Sequence, residues 1–184
     1  MVYLQDKMKA ETSEFEYGGT NSLDMFPVGD YDPRRVDAPT AITTTVKSVT
    51  FATESWANNN YRTFKTELNH NYESGTDVQP HIRILPLADG AGTMVFEFEW
   101  FRQRASTGET FAGATTQLST TFGATDNTDE IISYVESNIV GTDFQDGDML
   151  IGNLKRIGGT FTDGVALFEF GIHAPIGKVG RNFS

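Results

Sequence analysis

From His81 to Arg104 the chain reads HIRILPLADGAGTMVFEFEWFRQR, with apolar residues at every second position on both sides of the break Asp89-Gly90-Ala91-Gly92. Period-two alternation marks a strand that buries one face. Val95, Glu97, Glu99, Phe101 and Gln103 share one side of the second run, and Phe96, Phe98, Trp100, Arg102 and Arg104 share the other. Each aromatic side chain carries roughly 150–250 Å² of surface, so three in succession define a core face. Two such runs flanking a glycine turn predict a β-hairpin around which the domain is organised.

The same pattern extends in both directions. ITTTVKSVTFA, from Ile42, is dense in β-branched residues and predicts a first strand; Trp56 to Asn60 is a turn, and Tyr61 to Asn69 a second strand. After the central run, Ser106-Thr107-Gly108-Glu109 predicts a tight turn and Thr110 to Thr121 a strand pair or one long, twisted strand. EIISYVESNIV, from Glu130, suits both a helical face and strand alternation, and we read it as a strand. Met149 to Ile157 and Gly164 to Ala174 are the closing strands, joined by a turn over Gly158 to Asp163. About eight strands separated by turn signals predict an antiparallel sandwich or barrel, not a parallel α/β sheet.

Residues 1–40 have no sustained period and hold Pro27, Pro33 and Pro39. Each proline turns the preceding residue away from helix, so the segment reads as an extended N-terminal arm ahead of a domain spanning 41–184. Met25, Phe26, Val28 and Tyr31 give the arm apolar anchors, and Arg34 and Arg35 are the adjacent arginine pair in an acidic chain. These six are the candidate partner-binding residues, whether the arm lies across its own domain or docks on another subunit.

Composition narrows the possibilities. Net charge is -11, from 25 acidic and 14 basic residues, which repels phosphate backbones and argues against nucleic acid. With no cysteine there is no disulfide framework, thiolate metal site or thiol nucleophile, as suits a protein matured in a reducing cytoplasm. No apolar run approaches the ~20 residues of a membrane-spanning helix, and MVYLQDKMKAETSEFE lacks a signal-peptide pattern, so we expect a soluble, unprocessed chain.

Candidate chemistry is sparse. His70, His81 and His173 stand at no metal-ligand spacing and lie near predicted strand ends, where hydrogen-bonded or surface histidines are the default. Asp143, Asp146 and Asp148 offer three carboxylates to a hard cation but lack the spacing of a calcium loop, and Asp-Gly-Asp is also an ordinary turn; Asp126 to Asp129 invites the same thought. Glu97 and Glu99 form a potential carboxylate pair of the glycosidase kind, although such pairs are far more often a solvated sheet face. No nucleophile elbow, phosphate loop or dinucleotide fingerprint occurs, so neither an enzyme nor a cofactor is expected.

HIRILPLADGAGTMVFEFEWFRQRASTGETF together with GDMLIGNLKRIGGTFTDGVALFEFGIHAP resembles a module found in structural proteins of tailed bacteriophages. The matching positions are Pro86, Phe96-Phe98-Trp100, Gly108, Gly147-Asp148-Met149-Leu150, Arg156, Asp163 and the strand through Ile172, and they span residues 42–174. The resemblance implies a β-sandwich of jelly-roll type serving as capsid decoration, fibre, collar or tail component. It further implies a homo-oligomer, commonly a trimer, that contacts other virion proteins such as the major capsid or tail proteins. The alternative is a carbohydrate- or receptor-binding sandwich, with Trp56, Tyr61 and Tyr72 beside Asn58 to Asn60 as a stacking platform.

Overall fold

The computed structural model describes residues 22–25, 28–30, 37–104 and 106–176. They form eleven strands: β1 (Ser22–Met25), β2 (Val28–Asp30), β3 (Thr40–Val46), β4 (Val49–Trp56), β5 (Tyr61–Glu67), β6 (Gln79–Pro86), β7 (Gly92–Gln103), β8 (Thr110–Phe122), β9 (Ser133–Glu136), β10 (Met149–Gly158) and β11 (Val165–Pro175). No helix occurs among the described residues.

All strand pairings are antiparallel. One sheet runs β3-β4-β11-β6-β9, with β1 added on β11, and the other runs β2-β5-β10-β7-β8. Apart from the hairpins β3-β4 and β7-β8, each strand passes to the opposite sheet from the one before it, the winding expected of a jelly-roll sandwich. The architecture is therefore the all-β, antiparallel sandwich anticipated from the pattern.

The core lies between the sheets. Phe96 and Phe98 on β7, Leu150 and Leu154 on β10, and Ile82, Ile84 and Ile172 on β6 and β11 are all buried. Phe170 of β11 reaches across to Phe64 and Phe98 at ring-centroid distances of 4.7 and 5.1 Å. Beneath one end sits Arg156, fully buried, which donates to the carbonyls of Trp56 (2.7 Å), Asp163 (2.6 Å) and Phe161 (2.7 Å). Three carbonyls at loop and strand ends are thus satisfied by one guanidinium fork, as a buried arginine requires.

The predicted central hairpin is not formed. β6 pairs with β11 and β9, whereas β7 pairs with β10 and β8. Both strands turn their apolar faces inward, so they oppose one another across the core and the connection after Pro86 crosses between layers. The backbone bonds at that crossing go elsewhere: Leu87 N–H donates to Gly164 O, and Phe161 N–H donates to Thr93 O. A second departure is that ITTTVKSVTFA is two strands, reversed at Lys47 and Ser48 with φ of 46° and 67°. That left-handed pair is a two-residue hairpin turn made without the usual glycine.

Two strands come from the first forty residues. β1 extends the edge of β11 beyond the part used by β4, with Met25 opposite Ile172, and β2 covers β5, with Val28 opposite Lys65. Phe26, Tyr31, Arg34 and Arg35 lie outside the described residues.

Candidate functional site

On the outer face of the five-stranded sheet, register brings together residues remote in sequence. One row crosses the strands as Tyr61, Lys155, Glu97 and Gln117; the next as Thr63, Asn153, Glu99 and Thr115; a third sets Lys65, Ile151 and Phe101 side by side. These positions point outward because their neighbours Phe64, Leu154 and Phe98 point in. Two adjoining depressions, of about 560 and 380 Å³, lie over this face and share Thr63, Glu99 and Asn153. Together they make one open groove in the size range of a small-molecule or oligomer site.

The floor differs along its length. Toward Phe101, 37% exposed, it is lined by Ile151, Gly152, Gly113 and Ala114. Gly152 has no room for a side chain, since a Cβ would stand 2.4 Å from Glu99 O and 2.7 Å from the Phe98 ring. Toward Tyr61 the lining is polar: Thr63, Glu97, Glu99, Asn153 and Lys155. Thr63 Oγ1 donates to Asn153 Oδ1 at 2.7 Å, which fixes the amide and leaves its Nδ2 without an acceptor among the described residues. Among the described residues the carboxylates of Glu97 and Glu99 and the ammonium of Lys155 have no partner. The groove therefore presents acceptors, a donor and a cation beside apolar surface, all free to meet a ligand.

The outer face of the other sheet carries a second polar cluster whose groups are engaged with each other. The His81 ring is buried, lies on the backbone of Gly171 and stacks on His173 with centroids 4.3 Å apart. His173 Nδ1 is 3.2 Å from Glu136 Oε2, which also accepts a 2.6 Å bond from Tyr134 OH. Glu169 takes a 2.5 Å bond from Arg83 Nε and lies 3.4 Å from His81 Nε2. His81 and His173 thus meet through the β6-β11 register, a long-range pairing that no sequence spacing signals. His70 stands apart and exposed beside Glu67. Among the described residues no set of three or more His, Asp or Glu side chains is arranged to hold a metal ion.

Other candidates resolve differently from the sequence reading. Trp56 is fully buried against Phe96, and Tyr72 is buried with its hydroxyl donated to Thr76 O. The stacking platform of Trp56, Tyr61 and Tyr72 is therefore not formed; only Tyr61 reaches the groove. The aromatic residues beside the Asn turn close the core instead. Asn60 Oδ1 accepts the Ala57 N–H at 2.6 Å, as a turn residue does.

The Asp143–Asp148 loop is not a cation site either. Asp148 is fully buried, accepts the Gln145 N–H at 3.0 Å and sits 3.1 Å from Arg104 Nε and 3.7 Å from Arg102 Nη1. Its charge is already balanced, and Arg102 also donates to Asp143 O. Asp126 is likewise spent on a turn, accepting the Gly123 N–H at 2.8 Å. Of the carboxylates singled out, Glu97 and Glu99 line the groove, and signal for them was present in the polar outward parity of β7. Thr63 and Asn153 were not recognisable, since they join the site only through β5 and β10.

No protein-family model matches the chain, and no curated protein matches it by sequence. Solved structures do. The CBM22-1 xylan-binding domain of Paenibacillus barcinonensis Xyn10C is 10% identical, with TM-score 0.45 over 87% of this chain and 98% of that one. A CBM36-1 domain of a multidomain xylanase from the hindgut metagenome of Trinervitermes trinervoides is 16% identical, with TM-score 0.37 over 88% of this chain and 100% of that one. The CBM22-1–GH10 modules of Clostridium thermocellum Xyn10B, complexed with xylohexaose, are 9% identical with TM-score 0.41; the alignment covers 91% of this chain but only 27% of that larger one.

Proposed function

We propose that this protein is a non-catalytic carbohydrate-binding β-sandwich module whose ligand lies in the groove across β5, β10, β7 and β8. The observation that carries the proposal is the row Thr63, Asn153, Glu99, in which an amide donor is held in place and a carboxylate acceptor stands without a partner among the described residues. Sugars present closely spaced hydroxyls that both donate and accept, together with apolar C–H faces. The groove offers matching acceptors and a donor beside Phe101 and Ile151. A wide, shallow groove open to solvent suits a chain bound along its side better than a reaction that needs water excluded.

Isothermal calorimetry of the protein with soluble glucan, mannan and xylan oligomers tests this. Asn153→Ala is expected to weaken binding about tenfold or more, the cost of one buried hydrogen bond to a polar ligand. If no oligomer binds, or binding is indifferent to Asn153 and Glu99, the proposal is wrong.

A second reading, a structural component of a tailed-phage virion assembling as a homo-oligomer, is supported by the resemblance over residues 42–174. One structural observation favours an assembly role. The β3-β4 hairpin lies at the edge of its sheet, pairing with β11 along Glu54, Ser55 and Trp56, and its outer half leaves Val49 54% and Phe51 40% exposed. Edge strands of this kind are used for contacts between chains. Light scattering that finds only the 20.3 kDa single-chain mass at micromolar concentration would count against it. The two readings are compatible, since a virion component can also recognise a surface sugar.

A further inference from the structure

Resting on the carbohydrate-binding reading, we infer that the groove selects uncharged glycans over uronate or sulfated ones, and that Glu99 sets this preference. The polar half of the groove holds two carboxylates, Glu97 and Glu99, against one ammonium, Lys155. These charges are unequally placed. Glu97 is opposite Lys155 in the β7-β10 register, whereas Glu99 is opposite Asn153 on one side and Thr115 on the other. Neither neighbour is charged, so among the described residues Glu99 has no cation directly across from it, and Lys155 is only its diagonal neighbour.

Two further features reinforce the effect. Glu99 lines both depressions, so a ligand extending along the groove passes it wherever it sits. The floor toward Phe101 contributes no cation of its own, its lining being Trp100, Phe101, Ile151, Ala114, Thr115 and glycines, while Lys65 stands at its edge opposite Ile151. A carboxylate or sulfate on the sugar would meet Glu99 with only neutral donors, Asn153 Nδ2 and the Thr115 hydroxyl, directly beside it. A hydroxyl at the same place donates to it. Like-charge juxtaposition at a binding face is an established route to rejecting a wrong partner, and it weakens with salt.

The test is calorimetry on the full chain with uncharged gluco-, manno- and xylo-oligosaccharides and with oligogalacturonate, at low and at high salt. Wild-type protein is expected to bind at least one uncharged oligomer about tenfold or more tightly than oligogalacturonate at low salt, with the ratio shrinking at high salt. Glu99→Gln should bring that ratio toward one, chiefly by raising affinity for the uronate. Glu97→Gln should move it less, because Lys155 stands opposite. Equal wild-type affinity for both classes, or a ratio unmoved by Glu99→Gln, overturns the inference while leaving the carbohydrate-binding reading in place. Binding of neither class overturns that reading and this inference with it.

Discussion

The two sheets differ in what their outer faces do with polar groups. On the six-stranded sheet, His81, His173, Glu136, Tyr134, Glu169 and Arg83 bond to and stack on one another. On the five-stranded sheet, Glu97, Glu99 and Lys155 bond to nothing among the described residues, and the Thr63–Asn153 pair leaves one donor over there. Similar residue types therefore serve opposite ends. A closed network satisfies its members and stiffens the face it covers, whereas an open one keeps its hydrogen-bonding capacity for something else. Depth separates them too, since His81 is buried on its face while the groove carboxylates are wet.

Substitutions can break this contrast, and the largest effect should come from beneath both faces. Phe98→Ala removes a buried ring that touches Phe170 of the opposite sheet and should cost about 3–5 kcal/mol in denaturant unfolding. A loss below about 1 kcal/mol would mean that the inward face of β7 is wrongly assigned. Next comes Gly171→Ala, whose Cβ would stand 2.6 Å from the buried His81 ring. Displacing that ring should cost about 1–3 kcal/mol and leave glycan affinity unchanged, which a paired unfolding and calorimetry measurement checks.

Acid should act on carboxyls that hydrogen bonds hold in their charged form. Hydrogen bonds from Asn138 and the Gly141 N–H hold the Asp77 carboxyl below its ordinary value, bonds from Thr128 do so for Asp89, and bonds from Lys47 for Glu130. A carboxyl lowered on folding contributes stability above its unfolded value, near pH 4, that is lost as pH falls through its folded value. Glu54 opposes this: burial raises its carboxyl despite Arg62, so its contribution is present at low pH and lost as pH rises through its folded value. Three against one predicts net acid destabilisation below about pH 4, and Asp77→Asn should shift the acid transition measured by circular dichroism. The smallest stability effect belongs to the groove. Glu97→Gln and Asn153→Ala should each change unfolding free energy by no more than about 0.5 kcal/mol, since among the described residues Glu97 has no partner and the Asn153 side chain bonds only Thr63. A larger loss would show these residues to be structural and erase the difference between the faces.

Which parts were legible follows from the range of the interactions involved. The inward parity of Phe96, Phe98 and Trp100 is a local pattern and was readable directly. The partner of β7 was not, because the turn at Asp89–Gly92 has the composition of a hairpin whether the chain stays in one sheet or crosses to the other. The Lys47–Ser48 reversal was hidden for a different reason: neither residue is the glycine or asparagine that usually marks a left-handed turn. Trp56 and Tyr72 were misread as surface aromatics because an adjacent Asn turn says nothing about which way the ring points. Half of the groove, Glu97 and Glu99, was visible as polar alternation, while Thr63 and Asn153 depend on pairings between strands distant in sequence.

The position of β11 carries a consequence for how the molecule is made. This strand is the meeting point of β1, β4 and β6, yet it follows all three in the chain. During synthesis the six-stranded sheet has no centre until residue 175 has left the ribosome, and Phe64 and Phe98 wait for Phe170 to cover them. The sandwich is therefore expected to be completed only once β11 has emerged, on the order of milliseconds to seconds as for other sandwiches dominated by distant pairings. In that interval the exposed β4 and β6 edges are the places where a nascent chain would pair with the wrong partner.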